Sequence, residues 1–228
     1  MLAERLVADE RMDDPSLDPG TYRDVVHDLA RVNTVTLARR PTLRFLDEAV
    51  GARKQFSLLD VGFGDGDMLR AIARWAKRRA IEARLVGIDL NPRSLAAARE
   101  ATAASMPIEY RIGDYAALAD ERFDVVISSL VAHHMSREQL IAFLGFMDRE
   151  AAIGWFVNDL HRHSVAYLGW PALARLMRWH PIVRHDGHVS IARSFRKEDW
   201  RELLASAEIE GAAIRHHFPF RLCVSKRR

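Results

Sequence analysis

Apolar residues recur along this chain in two alternating patterns. Short runs such as Phe56–Val61, Ala83–Asp89, Ile108–Ile112, Phe123–Ser128 and Ile153–Val157 have the length and branching of buried strands. Between them, Met68–Ala76, Ser94–Ala104 and the stretch from Ser136 to about Arg149 carry apolar positions at helical spacing. Asn91-Pro92 opens the second of these helices, and Ser136 with Gln139 forms a capping box for the third. Strands that alternate with helices at this rhythm predict a parallel sheet covered on both faces.

The pattern continues at both ends. Thr21 is an N-cap for a helix reaching about Arg40, with Val25, Val26, Leu29, Val32, Val35 and Leu37 on its apolar positions, and a second helix covers about 42–50. Residues 1–20 are acidic and turn-rich and read as a loosely held arm. After the fifth strand come an amphipathic segment, Val165–Trp179, a final helix, Arg196–Ala207, and a strand, Glu208–His216. Phe220–Ser225 then reads as that strand's antiparallel partner, for seven strands in all.

The chemistry concentrates where the first strand ends, in Asp60-Val61-Gly62-Phe63-Gly64-Asp65-Gly66. Glycines at alternate positions allow positive φ and close approach of a ligand, and the following helix points its free N–H groups into the same space. The dinucleotide spacing G-x-G-x-x-G would require glycine at position 67, which is Asp67, and no Gly-Lys-Ser/Thr closes the turn as a P-loop does. An acid at the tip of the second strand, Asp89, is placed to accept two hydrogen bonds from ribose hydroxyls. The ligand is therefore expected at the carboxyl ends of the strands, where the Gly62 turn, Asp89, Asp114 and His133 converge.

Composition narrows the setting. The 228 residues suit one α/β domain with an appendage, and 34 basic residues against 31 acidic ones, a net charge of +3, form no concentrated basic stripe. Neither nucleic acid nor a membrane span is expected, since no apolar run approaches about 18 residues. Met1–Pro15 lacks a signal peptide's apolar core, so a soluble cytoplasmic protein, monomer or homodimer, is expected. The single cysteine, Cys223, excludes an internal disulfide and a multi-cysteine zinc site.

Asp60-x-Gly62-x-Gly64-x-Gly66, Gly87–Asn91, Asp114 and Phe123–His134 resemble the class I S-adenosylmethionine-dependent methyltransferases, in their ubiquinone/menaquinone-type small-molecule branch. Val157–Arg162, His185-Asp186-Gly187 and Ser190–Ser194 resemble a bacterial subgroup tied to polyketide or aromatic natural products. The resemblance implies a Rossmann-like, doubly wound α/β fold with a mostly parallel seven-stranded sheet, N-terminal lid helices and an antiparallel C-terminal edge hairpin. It divides the chain into an arm with lid helices, 1–50, and a methyltransferase domain, 51–228, with a substrate-side insertion at 163–195. S-adenosyl-L-methionine is the implied cofactor, held by Asp60, Gly62, Gly64, Gly66, Asp89, Leu90, Asp114, Tyr115 and Ser129. Asp114 would meet the adenine amino group, unless it only caps the following turn.

Methyl transfer from a sulfonium needs an aligned nucleophile, a dry site and, for a phenol, a base near pKa 6.5. Seven of the ten histidines lie between positions 133 and 188. His133 is the expected base or substrate ligand, and His134 a packed histidine bordering the substrate. Asp159 with His161 can make an oriented base, and Arg162 can hold an acidic substrate group or a carboxylate such as Asp186. His188 and Arg193 belong to a second polar cluster with the same two readings, substrate contact or buried network. His161-x-His163 and His185-x-x-His188 are feasible metal spacings, but no HExxH supports them and no metal is expected.

The expected reaction is O-methylation of a small phenolic or polyketide-like acceptor, with C-methylation of a quinone or aromatic ring as the alternative. A nucleic-acid or protein methyltransferase would carry Asn/Asp-Pro-Pro-Tyr/Phe where this chain has Ser128-Ser129-Leu130-Val131. A non-catalytic member of the fold is the remaining class.

Overall fold

In a computed structural model, which describes residues 2–228, the strands and helices take their places around one sheet. The chain runs α1 (Pro19–Val35), α2 (Arg39–Val50), β1 (Gln55–Val61), α3 (Asp67–Arg78), β2 (Glu82–Asp89), α4 (Pro92–Ala101) and β3 (Ile108–Ile112). It continues through β4 (Phe123–Ser129), α5 (Arg137–Glu150), β5 (Ala151–Leu160), α6 (Ser164–Leu176), α7 (Pro181–Arg193), α8 (Lys197–Ser206), β6 (Ala213–His217) and β7 (Arg221–Arg227). Strand order is β3-β2-β1-β4-β5-β7-β6, all parallel except β7, which runs antiparallel to both its neighbours. This is the Rossmann-like, doubly wound arrangement with an antiparallel C-terminal edge that the family resemblance implies. Strand order reverses between β1 and β4, and the crevice for a ligand opens there.

Alternation along β1 sends its side chains to opposite faces. Leu58 packs with Phe45, Leu69 and Ile72 of α2 and α3, while Leu59 packs with Leu140, Leu144 and Leu203 of α5 and α8. Phe45 stacks on Phe156 at 4.9 Å, fixing α2 against β5. A third cluster joins α1, α6 and α7 through Val25, Val32, Trp170, Trp179, Val183 and Ile191, and it forms a roof.

Several boundaries differ from expectation for identifiable reasons. Asp18, not Thr21, caps α1, accepting from the Thr21 N–H at 2.9 Å. The first helix stops at Val35 because Leu37 takes φ +54°, and α2 starts at Arg39. Asn158-Asp159-Leu160 belongs to β5 instead of following it, since β7 offers these residues partners down to Arg221. The N-terminal arm is pinned: Leu6 N–H donates to Ala192 O, the N–H groups of Arg11 and Met12 donate to the Asp186 carboxylate at 3.0 and 2.9 Å, and Arg93 holds the carbonyls of Asp14 and Leu17. Among the described residues no helix is long and apolar enough to cross a membrane.

Phe156 is 3% exposed and joins α2 to the strand that carries Asp159. Phe156→Ala is expected to destabilise the fold by about 3–5 kcal/mol, read as a lower urea midpoint at unchanged slope. A loss below about 1 kcal/mol would show that α2 is not held there.

Candidate active site

The turn after β1 takes its shape from three glycines with φ of +80°, +56° and +77° at Gly62, Gly64 and Gly66. A Cβ on Gly62 would overlap Val131, and one on Gly66 would overlap Tyr110, whereas one on Gly64 would point into open space. Gly62 and Gly64 border the cavity; Gly66 is a packing glycine behind them. Asp89 locks the turn to β2, one carboxylate oxygen accepting from Gly64 N at 2.9 Å and the other from Asn91 N at 2.8 Å. Burial raises its pKa.

A single cavity of about 710 Å³ runs from this turn to the roof. Asp60, Gly62, Gly64, Asp89, Leu90, Tyr115 and Ser129 line one half; the other is walled by apolar side chains such as Leu29, Val32, Leu160, Trp170, Leu173 and Ile191. Among the described residues, three buried polar atoms of its lining have no partner, Asp60 Oδ1, Asn33 Oδ1 and Arg221 Nη1. Two acceptors and one donor complement an ammonium and a carboxylate, the head group of an amino acid. Burial, reinforced by Asp67 and Asp89, raises the Asp60 pKa well above the ordinary carboxylate value. These features fit S-adenosylmethionine: a turn that admits close approach, an acid for ribose hydroxyls, and unpaired groups for the methionine end.

At the junction of the two halves stands His133, 2% exposed. Asp159 accepts from its backbone N–H at 3.0 Å and pairs with its Nδ1 at 2.8 Å, while Glu10 Oε1 lies 3.5 Å from its Nε2. Burial opposes charge on this ring, but the two carboxylates outweigh it and push the pKa up to about 9. Arg193 and Arg5 donate to the carbonyl of His133, and Arg193 also to that of His134. His161 lines the same cavity in the opposite state: burial first, then His216 and His163, lower its pKa to about 4. Held between two carboxylates, the His133 ring favours its protonated form.

Six expected site residues lie outside the cavity: Gly66 behind the turn, Asp159 beneath His133, with which it pairs in place of the expected His161, and Asp114, Arg162, His188 and Arg193. Asp114 is exposed and caps the turn after β3, accepting from Ala116 N at 2.9 Å. Arg162 is turned under the sheet tip, donating to Ser194 O at 3.0 Å and pairing with Asp199 at 3.1 Å, not with Asp186. His188 packs on Tyr167 with ring centroids 3.8 Å apart. Arg193 holds the backbone of the two histidines from behind and does not itself line the cavity. His134 is the more exposed of the histidine pair and borders the cavity. Trp170 lines the cavity, whereas Met177, at the end of α6, lies 40% exposed.

Three cavity residues escape the sequence reading. Glu10 sits in an acidic arm with no motif, and Asn33 in an ordinary helix. Arg221 left a trace, a charge inside the apolar run Phe220-Arg221-Leu222-Cys223-Val224.

Residues 58–150 match the family model described as a methyltransferase domain. Among curated proteins none matches the chain. The fold is shared with the plantazolicin methyltransferase BamL, in complex with a triazolic desmethylPZN analog and SAH, at 15% identity and TM-score 0.63, over 86% of this chain and 71% of that one. It is shared with magnesium protoporphyrin IX methyltransferase (ChlM) from Synechocystis PCC 6803 with bound SAH, at 18% identity and TM-score 0.58, over 96% and 91%. Human N-acetylserotonin methyltransferase in complex with SAM gives 15% identity and TM-score 0.64, over 92% of this chain but 56% of that one.

A histidine whose folded pKa is lowered binds its proton more readily when unfolded. His161 therefore leaves stability intact above about pH 6.5 and erodes it as the pH falls toward about 4. An NMR titration of the His161 ring should give a midpoint near 4, and His161→Gln should flatten the acid-side loss of stability. A midpoint at or above the free value of about 6.5 would refute a neutral His161.

Proposed function

We propose that this chain, whose residues 58–150 match a methyltransferase-domain model, transfers the methyl group of S-adenosylmethionine to the hydroxyl oxygen of a small, largely apolar phenolic acceptor. The observation that carries the reading is the single cavity, with cofactor-type polar groups at one end, apolar walls at the other and His133 where they meet. The cofactor supplies a methyl on a sulfonium, whose S–C bond breaks as the new O–C bond forms, the electron pair staying on sulfur in S-adenosylhomocysteine. The chain's own task is to bind, align and keep water out.

Asp60 and Asn33 would receive the ammonium of the methionine end, Arg221 its carboxylate, and Asp89 the ribose hydroxyls. Leu90, Tyr115 and Ser129 would complete this half. The acceptor's ring would lie against Leu160, Trp170 and Leu173, its oxygen toward His133. With Asp159 and Glu10 holding it as an imidazolium, His133 would stabilise the phenolate electrostatically. His161, neutral and on the same cavity wall, would take the phenol proton. The apolar walls favour an aromatic acceptor of the small-molecule kind over a peptide or nucleic acid.

Two measurements test the reading. Arg221→Met should weaken S-adenosylhomocysteine binding at least about tenfold by calorimetry while leaving 5′-methylthioadenosine, which lacks the amino-acid end, unchanged. Equal losses for both ligands would refute the assignment of Arg221. His133→Ala and His161→Ala should each bind cofactor normally and lose at least about 100-fold in turnover on a phenolic acceptor; full activity in either would remove that residue from the mechanism.

A further inference from the structure

His133 and His134 follow one another in a short 3-10 turn beyond β4, Ala132–His134, and the arm lays Glu10 across both. Nε2 of His133 is 3.5 Å, and Nε2 of His134 is 3.7 Å, from the same oxygen, Glu10 Oε1. Both distances exceed the roughly 2.9 Å of an N–H···O hydrogen bond. They are close to the separation of about 3.4 Å between two ligands that each lie about 2.1 Å from one tetrahedral ion.

The other nitrogens of the two rings are already engaged. His133 Nδ1 is 2.8 Å from Asp159 Oδ1, and His134 Nδ1 is 3.1 Å from Asp13 Oδ2. Carboxylates on Nδ1 fix the tautomer, so that each Nε2, once an ion displaces any proton it carries, can offer its lone pair on the side of Glu10, the outer-shell arrangement of metal-binding histidines. Ser190 Oγ donates to Glu10 Oε1 at 2.7 Å and holds the third ligand in place. All three ligand atoms lie within 4.8 Å of one another, and all three residues line the cavity.

The geometry points to a divalent transition-metal site in which Glu10, His133 and His134 hold a Zn²⁺-type ion and a fourth position opens on the cavity. Two imidazoles and one carboxylate are a donor set of catalytic zinc sites, which keep one position for water or substrate. Around the site the carboxylates of Glu10, Asp13 and Asp159 outnumber the guanidinium groups of Arg5 and Arg193, the latter 3.9 Å from Glu10. With the histidines neutral the corner is therefore negative. The ion's role rests on the methyltransferase reading: it would bind the acceptor's oxygen and stabilise the phenolate in place of the His133 proton, the phenol proton again passing to His161. Metal binding itself does not depend on that reading.

The test uses the full chain, stripped with chelator and titrated with Zn²⁺ by calorimetry and with Co²⁺ by visible spectroscopy, without cofactor or acceptor. One equivalent should bind, and Co²⁺ should show the d–d bands of low coordination number. Glu10→Gln and His134→Asn should each weaken binding at least about 100-fold and Asp13→Asn about tenfold, with His217→Ala unchanged as a control. Thermal unfolding in chelator, matched to metal-free wild type, separates loss of a ligand from loss of fold.

No stoichiometric binding, or binding that survives Glu10→Gln and His134→Asn, overturns the site. Metal-free protein that binds S-adenosylmethionine but turns over only when Zn²⁺ returns supports the ion's role; full turnover without metal overturns that role and leaves the proposed reaction standing. Failure of the wild type to bind S-adenosylmethionine would instead sink the methyltransferase reading, whatever the metal result.

Discussion

The buried carboxylate of Asp159 is the constraint on which the active corner depends. It is wholly enclosed and accepts from the His133 backbone N–H, pairs with the His133 ring and accepts from Leu160 N at 2.6 Å. Burial works against its charge, and these partners more than compensate, so its pKa is lowered. Through it the tip of β5 fixes the loop that leaves β4. Removing one member of such a buried pair costs about 3–5 kcal/mol, because the partner is left charged and alone. That cost ties the position of the His133 ring to the integrity of the sheet.

Around this anchor the polar residues divide into two shells with different tasks. Asp60, Asp89, His161 and Arg221 border the cavity and are available to ligands. Arg162 and Arg193 stand behind it and hold backbone, Arg162 the Ser194 carbonyl and Arg193 the carbonyls of both histidines, while Asp186, at the cavity's edge, holds the amides of the arm. The arm in turn brings Glu10 over the histidine pair. Roof, arm and sheet tip therefore form one enclosure, which is what a reaction sensitive to water requires. Trp170 closes the roof by lying against Gly187, where a side chain would overlap its indole.

How far the sequence carried the reading depended on whether a signal was local. The glycine turn, the acid ending β2, the capping box at Ser136 and the alternation of strands and helices each follow from interactions over a few residues, and all recur in the structure. The polar clusters were visible as clusters but not as sides of a cavity. Arg162 and His188 looked equivalent to His161 along the chain, and only the packing of α6 and α7 separated them. Glu10 gave no sign at all, because its partners lie 123 and 124 positions away in the sequence.

By itself, then, the sequence determined the fold class, the position of the ligand-binding turn and the kind of ligand, since hydrophobic period, glycine spacing and strand-end acids are properties of short segments. Only the tertiary structure decided which charged groups meet. A buried histidine's charge depends on carboxylates brought to it from distant elements, here Asp159 from β5 and Glu10 from the arm, and no local pattern encodes that encounter.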